Sequence, residues 1–253
     1  MARRYRWIKG LGLALGFWVL LGGIVWAEKK QAMRACQAID ITIADTAGHQ
    51  FVEEHGLLTR LTEDYTGSIL GTLVREVASR VIENSINSHS FVRTATVYKN
   101  WKGRLKIAVL PKRPIARILY LHKPSQYIDE TGERLPLSER YAARVLLIDG
   151  EKLRSLDKDL GDSPYGIALL KLLTFIDQNP FWRSQITHIS VDEQGKLALT
   201  TQISKQRVVF GRPENIEKKM QKLRLFYQAI LPCKGWNTYK RVSLEFENQI
   251  VCE

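Results

Sequence analysis

Residues 92–109 read VRTATVYKNWKGRLKIAV, and this stretch decides the fold of the first half of the chain. Its first part is β-branched and aromatic, and its second part alternates apolar with basic or small residues, as half-buried strands do. Residues 100–103, NWKG, supply a turn between the two parts. We therefore predict an antiparallel hairpin that ends near Pro111 and Pro114, because proline cannot donate to a central ladder.

The residues before the hairpin predict the rest of a small module. In 36–44, CQAIDITIA, every second residue from Ile39 is isoleucine, which indicates a strand. Residues 73–86 carry apolar side chains at helical spacing, with Thr72 as a candidate N-cap, and residues 51–61 show a weaker helical pattern. A strand, two helices and a hairpin make a small α+β module.

The second half predicts a larger sheet domain. Ser163 is predicted to cap the N-terminus of a helix whose first residue is Pro164. Residues 214–230 are predicted to form a second helix. The segments that resemble strands are 127–132, 144–148, 186–191, 197–201, 206–210 and 241–251. We predict a mostly antiparallel sheet with flanking helices.

Residues 10–27 form an uncharged stretch, GLGLALGFWVLLGGIVWA, which is distinct from the two predicted folded domains. As a helix it would be about 27 Å long, close to the roughly 30 Å hydrocarbon core of a bilayer. Four bases precede it, with no acid among them: Arg3, Arg4, Arg6 and Lys9. Such a cluster stays on the cytoplasmic side, so we predict an anchor with everything after it outside. A cleaved signal peptide is the alternative, because VWA at 25–27 is a tolerable cleavage site.

The chain is basic, with 38 Lys and Arg against 26 Asp and Glu and a formal net charge of +12. Residues 84–128 contain no acid and nine bases: Arg93, Lys99, Lys102, Arg104, Lys106, Lys112, Arg113, Arg117 and Lys123. In a cytosolic protein such a stretch would favour nucleic acid. For a domain on the outer side of a membrane, the available anionic partners are lipid headgroups, cell-wall polymer or an acidic protein. The alternative is a solvated hairpin whose bases bind no partner. We predict no nucleic-acid partner.

The sequence offers no candidate catalytic residue, metal site or cofactor site. The five histidines lack helical ligand spacing, there is no CxxC, and no glycine-rich phosphate loop follows a strand. Cys233 and Cys252 could form a disulfide that closes a loop of about 20 residues. Three unpaired thiols, including Cys36, are the alternative. We expect a protein that is not an enzyme and has no small-molecule substrate.

Four stretches together carry a resemblance to a known family: residues 90–109, KRPIA at 112–116, YIDETG at 127–132 and VSLEFENQIV at 242–251. They resemble the bacterial cell-division family FtsQ/DivIB. Residues 90–109 look like the end of the family's POTRA module, and 112–116 is similar to its (R/K)-x-P-x-A exit. Residues 127–132 resemble the opening of its β domain, and 242–251 resembles its terminal strand in a form typical of Bacteroidota. The resemblance covers nearly the whole chain.

The resemblance implies a scaffold of the division machinery. The family's β domain binds the FtsB–FtsL pair and so connects it to the septal peptidoglycan synthase, and its POTRA module takes part in recruitment. The expected location is the bacterial inner membrane at the division septum, with one span and periplasmic domains. The corresponding segments are a cytoplasmic tail 1–9, a transmembrane helix 10–27, a linker 28–37, a POTRA-like domain 38–115 and a β domain 116–253.

We expect the partner to bind a late strand at the edge of the sheet, where unpaired N–H and C=O groups accept an extended segment. The expected binding residues are Lys240, Arg241, Val242, Ser243, Leu244, Glu245, Phe246 and Glu247. Two alternatives stay open. One is a POTRA-containing component of protein translocation or outer-membrane assembly, and the other is an anchored cell-wall enzyme.

Overall fold

A computed structural model describes residues 17–23, 35–44, 51–64, 69–100, 102–154, 156, 159–203, 206–236 and 238–253. Residues 17–23 are helical, and nowhere in the described part of the chain is a helix long and apolar enough to cross a bilayer. The remainder of the predicted span and the four bases before it lie outside the described residues.

The chain forms two compact units. The first comprises Met1–Asp45 and Val52–Pro111, and the second comprises Thr46–Phe51 and Lys112–Glu253. Each unit has its own sheet.

The first unit is a three-stranded sheet with two helices. Its elements are β1 (Ala38–Ile43), α1 (Glu54–Asp64), α2 (Ser79–Asn87), β2 (Val92–Lys99) and β3 (Arg104–Pro111). The strand order is β1-β3-β2, and the predicted hairpin of β2 and β3 is confirmed. β1 lies parallel to β3, so that its alternating isoleucines face the same side as the buried Leu105, Ile107 and Val109.

Helix α2 begins later than the apolar spacing predicted. Leu73 forms an isolated antiparallel bridge with Ala35, and the residues that follow it form turns up to Val77. Because this bridge ties Leu73 to the chain that leads into β1, the helix begins only at Ser79. The predicted start at 73 with Thr72 as its cap is therefore wrong, whereas the buried face with Ile82 and Ile86 is confirmed.

The second unit contains a nine-stranded sheet among the described residues. Its strands are β4 (Pro114–Ile118), β5 (Gln126–Asp129), β6 (Arg134–Leu135), β7 (Leu146–Gly150), β8 (Ile186–Val191), β9 (Leu197–Thr201), β10 (Arg207–Gly211), β11 (Arg241–Ser243) and β12 (Val251–Cys252). The order is β12-β11-β10-β9-β8-β7-β4-β5-β6. The sheet is mixed, since the pairs β4–β7, β7–β8 and β10–β11 are parallel. The other five pairs are antiparallel, so the sheet is mostly antiparallel as predicted, but the three parallel pairs were not predicted.

Helical connections explain two of the parallel pairs, because parallel neighbours need a crossover. Between β7 and β8 lie α3 (Glu151–Arg154), a 3-10 turn (Leu160–Asp162), α4 (Pro164–Gln178) and α5 (Pro180–Gln185). Between β10 and β11 lie α6 (Ile216–Leu225), a π-helical turn (Phe226–Ile230) and α7 (Leu231–Lys234). The predicted cap of α4 is confirmed, since the Ser163 hydroxyl accepts from the Gly166 N–H at 3.0 Å.

The helices of the second unit pack on one face of its sheet. Ile148, Ile189, Leu199, Val208 and Val242 lie in one cross-strand row and share a buried cluster with side chains of α4, α5, α6 and α7. Side chains alternate across a strand, so the residues next to this row point to the opposite face.

Candidate functional site

The C-terminal edge of the large sheet differs from the predicted one. β11 has only three residues and is an inner strand, parallel to β10 on one side and antiparallel to β12 on the other. The edge is β12, and the predicted strand over 241–251 is broken into two short strands. Placing the edge at Lys240–Glu247 is therefore wrong, because the final residues fold back and cover β11.

The register at this edge leaves one peptide facing outward. Arg241 and Glu253 exchange two backbone hydrogen bonds, of 3.0 and 2.9 Å, and the next residues in register are Val242 and Cys252. Hydrogen-bonded and non-hydrogen-bonded pairs alternate in an antiparallel ladder. The N–H and C=O of Cys252 therefore point away from β11, along the open side of the sheet.

The eight predicted binding residues fall into two groups. Three have buried side chains and cannot present them to a partner: Val242, Ser243 and Leu244. Five are exposed or half-buried at the surface: Lys240, Arg241, Glu245, Phe246 and Glu247. Phe246 has 49% of its surface exposed, which is unusual for a large aromatic side chain.

A shallow groove of about 400 Å³ lies beside this edge, on the sheet face opposite the helices. It runs across β8 to β11, and its charged lining residues are Asp192, Lys196, Arg207, Arg241 and Glu245. Arg241 and Glu245 were predicted from the sequence, whereas Asp192, Lys196 and Arg207 were not. Only the long-range register brings them together, and no local pattern shows that register.

Two arginines of the groove lie next to each other. Arg207 and Arg241 are direct neighbours in the parallel pair of β10 and β11. Like charges opposite each other destabilise a sheet. The carboxylate nearest to Arg241 is that of Glu253 at 3.8 Å, and both side chains are more than half exposed, so the attraction is weak. The two guanidinium groups therefore favour an additional anion.

The other end of the groove is fixed by an ion pair. Lys196 Nζ lies 3.0 Å from Glu245 Oε1, and the Glu245 side chain is the less exposed of the two. This pair joins the turn before β9 to the segment that follows β11. The groove thus has one end with paired charges and one end with excess positive charge.

Lys222 of α6 holds the segment between β11 and β12. Its Nζ donates to the carbonyl oxygens of Leu244 at 2.9 Å and of Phe246 at 2.5 Å. Burial lowers the pKa of Lys222, while the charge of Glu247 opposes this shift. These bonds begin the turn that brings the chain back as β12, and no pattern in the sequence indicates them.

Lys219, one turn earlier, is buried. It donates to the carbonyl oxygen of Arg212 at 2.8 Å and lies 4.8 Å from the centre of the Phe210 ring. Burial lowers its pKa. Lys219 therefore fixes the loop after β10, next to the segment that Lys222 holds.

Part of the acid-free stretch is used for internal ion pairs of the second unit. Arg113 bonds Asp177 at 2.7 Å and Glu130 at 3.2 Å, and Lys112 bonds Glu133 at 2.6 Å. Burial acts to lower the pKa of Arg113, but its bonds to the two carboxylates outweigh it and raise that pKa. Arg113 holds the start of β4 to α4 and to the turn after β5, and Lys112 holds it to Glu133, so both bases are used within the second unit and are removed from the predicted interaction surface.

The three cysteines are free thiols. Cys233 is exposed on α7, whereas the Cys252 side chain is half-buried and packs against the core of the second unit. The predicted disulfide between them is absent, because one side chain faces solvent and the other faces the core. Within the described residues, no group of three or more His, Cys, Asp or Glu could hold a metal ion.

Family models match both units. One described as "FtsQ/DivIB, C-terminal related" matches residues 113–253, more than half of the chain. The chain belongs to the FtsQ/DivIB family. A model described as "POTRA-like domain" matches residues 34–110. The predicted family and the α+β class with a POTRA-like module are thereby confirmed.

Two relatives of the FtsQ/DivIB family align with the chain. The cell division protein FtsQ of Salinibacter ruber is 23% identical over 258 residues, which covers 96% of this chain and 91% of the relative. The cell division protein FtsQ of Rhodothermus marinus is 27% identical over 189 residues, which covers 72% of this chain and 67% of the relative. Family membership indicates a role in cell division.

Proposed function

We propose that the chain is a non-catalytic scaffold of the bacterial division machinery whose second unit binds an FtsB–FtsL-type pair at β12. The outward-facing peptide of Cys252, next to a groove with two adjacent arginines, is the observation that carries the proposal. Family membership supports the choice of partner.

A single extended ligand would contact both the β12 edge and the groove beside it. An extended partner segment would pair with the N–H and C=O of Cys252 and continue the sheet beyond β12. Val251 and Glu253 share the groove face with Ser243 and Arg241, to which they are paired. Acidic side chains of the partner would then lie near Arg207 and Arg241, and an apolar one could cover Phe246. Because β12 has only two residues, we expect the groove to contribute to affinity.

The rest of the proposal concerns location. Residues 10–27 anchor the chain in the inner membrane, with Arg3, Arg4, Arg6 and Lys9 in the cytoplasm and both units in the periplasm at the septum. Binding of the FtsB–FtsL-type pair connects the chain indirectly to the septal peptidoglycan synthase. The POTRA-like unit contributes to recruitment.

A proline at the edge tests the binding site. Cys252→Pro removes the outward N–H, and this donor makes no bond to β11, so the sheet keeps its ladder. The matched control, Cys252→Ala, loses the same thiol and keeps the N–H. In calorimetric titration of the full-length chain with the purified FtsB–FtsL-type pair, we expect at least a tenfold loss of affinity for the proline variant only.

Two results would contradict the proposed site. Equal affinity of the proline and alanine variants would show that β12 does not pair with the partner. A loss in both variants would assign the effect to the thiol. Circular dichroism and the unfolding midpoint of each variant verify that the second unit is folded.

A further inference from the structure

Strand β1 is an outer strand of the first unit's sheet, with β3 on its inner side. The Ala44 N–H donates to the Val109 carbonyl at 2.9 Å, so the even-numbered residues of β1 bond β3. Successive residues of a strand direct their N–H and C=O groups to opposite sides. The peptide groups of Ile39, Ile41 and Ile43 therefore point away from β3, where no described residue bonds them.

This edge has few of the features that prevent pairing with another strand. Bulges, prolines and charged side chains are the usual ones. β1 contains no proline and keeps an unbroken register with β3 over all six of its residues. Its charged residue, Asp40, lies 3.4 Å from Arg104 of β3, and the Asp40 side chain is 39% exposed. The carboxylate therefore has room to accept a further hydrogen bond from a neighbouring strand.

The side chains of β1 are arranged symmetrically about Ile41. Ile39, Ile41 and Ile43 are half-buried and face the same side as the buried residues of β3. Asp40 and Thr42 lie on the opposite face, because side chains alternate across a strand. Apolar and polar residues thus follow in the same order in both chain directions. A two-fold interface requires a surface that complements itself, and this strand meets that requirement.

We infer that two copies of the chain pair through their β1 strands, antiparallel about a two-fold axis at Ile41. Ile41 then faces Ile41 of the second copy and Ile39 faces Ile43, and each of these pairs exchanges two hydrogen bonds. The two three-stranded sheets join into one continuous sheet. The inference concerns the first unit and depends neither on binding at β12 nor on the anchor.

The side chains select the register at Ile41 over its two neighbours. It places Asp40 opposite Thr42 of the second copy, twice by symmetry, so that each carboxylate accepts from a hydroxyl. A register centred on residue 40 places two Asp40 carboxylates opposite each other, and like charges in that position destabilise a sheet. A register centred on residue 42 leaves Ile39 outside the ladder and loses one bonded pair.

Disulfide trapping of the full-length chain tests both the pairing and its register. One protein carries Asp40→Cys, and a second, with a tag that changes its mass, carries Thr42→Cys. The background is Cys233→Ser with Cys252→Ser, which leaves the buried Cys36. In the inferred dimer the Cα atoms of positions 40 and 42 are about 4.5 Å apart. Two copies of position 40, or two of position 42, are diagonal neighbours at about 7–8 Å.

We expect the mixture to cross-link at least about tenfold faster than either protein alone, because only the mixed pair lies within disulfide distance. Gel electrophoresis without reductant separates the mixed dimer by its mass. Equal rates in the mixture and in the single proteins would show contact without this pairing and would overturn the inference. Faster cross-linking of Asp40→Cys alone would assign another register, and no cross-linking would leave β1 to a different partner. Either result also overturns it.

A charge substitution tests the same dimer without cysteines. Thr42→Asp puts a carboxylate opposite Asp40 at both symmetric positions, so each favourable pair becomes a repulsive one. By sedimentation equilibrium of the full-length chain in detergent, we expect the dissociation constant of the dimer to rise at least about fourfold. Thr42→Asn, which keeps a donor for Asp40 and adds no charge, should change it less than about twofold.

Position 42 is exposed, so both variants should fold, and their unfolding midpoints verify this. An unchanged dissociation constant for Thr42→Asp would show that any dimer forms elsewhere in the chain, and would overturn the inference. A chain that sediments as a monomer would overturn it as well. Binding at β12 is measured separately with Cys252→Pro, so the two proposals can fail independently.

Discussion

One outer edge of the first unit's sheet, β2, and one outer edge of the second unit's sheet, β12, differ in how their outward peptide groups are bonded. In the first unit, the outward N–H groups of Ala95 and Val97 on β2 are bonded by side chains of α2. Asn87 Oδ1 accepts from Ala95 and Glu83 Oε1 accepts from Val97, both at 2.7 Å. In the second unit, the outward peptide of Cys252 on β12 has no such side chain beside it in the described part of the chain.

The two α2 side chains reach the two β2 donors because the helical and strand spacings are nearly equal. Glu83 and Asn87 are four residues apart on a helix, about 6.0 Å along its axis, and Val97 and Ala95 are two residues apart on a strand, about 6.6 Å. One helical turn therefore matches one strand repeat, and two side chains satisfy two donors. Side chains of α2 thus close the β2 edge against pairing, whereas under the proposed function the β12 edge is left open for the partner.

The largest expected effect comes from opening the closed edge. Glu83→Ala with Asn87→Ala leaves two strand donors without their acceptors, and each unsatisfied group costs about 1–3 kcal/mol. We expect the free energy of unfolding of the first unit to fall by about 2–6 kcal/mol in urea titration. Arg80→Ala, an exposed change on the same helix, should cost less than about 0.5 kcal/mol. Similar losses for both variants would show that the closed edge adds nothing to stability.

We expect both the stability of the second unit and partner binding at the β12 edge to depend on Lys222. Lys222→Met keeps most of the side-chain volume but removes the bonds to the Leu244 and Phe246 carbonyls, which we expect to cost about 1–2 kcal/mol. Because these bonds begin the turn into β12, affinity for the FtsB–FtsL-type pair should also fall, by about tenfold. Lys218→Met, exposed on the same helix, is the control. Unchanged affinity with lowered stability would separate the turn from the binding site.

The smallest expected effect is on the pH dependence of the first unit's stability, through His89 beside the closed edge. His89 lies in the turn from α2 to β2, and its Nδ1 accepts from the Phe91 N–H at 3.3 Å. Burial, followed by the charge of Arg60, lowers the pKa of His89 below 6.5. As pH falls below 6.5 the unfolded chain takes up this proton first, so stability falls until the folded pKa is reached. His89→Asn should weaken this pH dependence, and identical curves for both proteins would contradict it.

The hairpin of the first unit and the cap of α4 in the second unit were predictable because their signals are local. The turn NWKG and the alternation on both sides of it are enough for the hairpin, and serine with proline at 163–164 is enough for the cap of α4. The start of α2 was not predictable, since a bridge from Ala35 to Leu73 replaces the helical turns that the spacing suggested.

The candidate site was predictable only in its location near the C-terminus. VSLEFENQIV alternates well enough to resemble one long strand, and alternation alone does not show that residues 245–250 turn back. The turn depends on Lys222, which resembles any other lysine on a polar helix face. The pairing of Arg207 with Arg241 depends on a parallel register set by two helices between them. Such long-range pairings leave no local trace in the sequence.

Amide hydrogen exchange at Cys252, followed by NMR in the free protein and in its complex with the FtsB–FtsL-type pair, tests the open edge most directly. We expect this amide to exchange fast in the free protein and to become protected at least tenfold in the complex. The Ala95 and Val97 amides should be protected in both states. A Cys252 amide that exchanges equally fast with and without the bound partner would contradict the account.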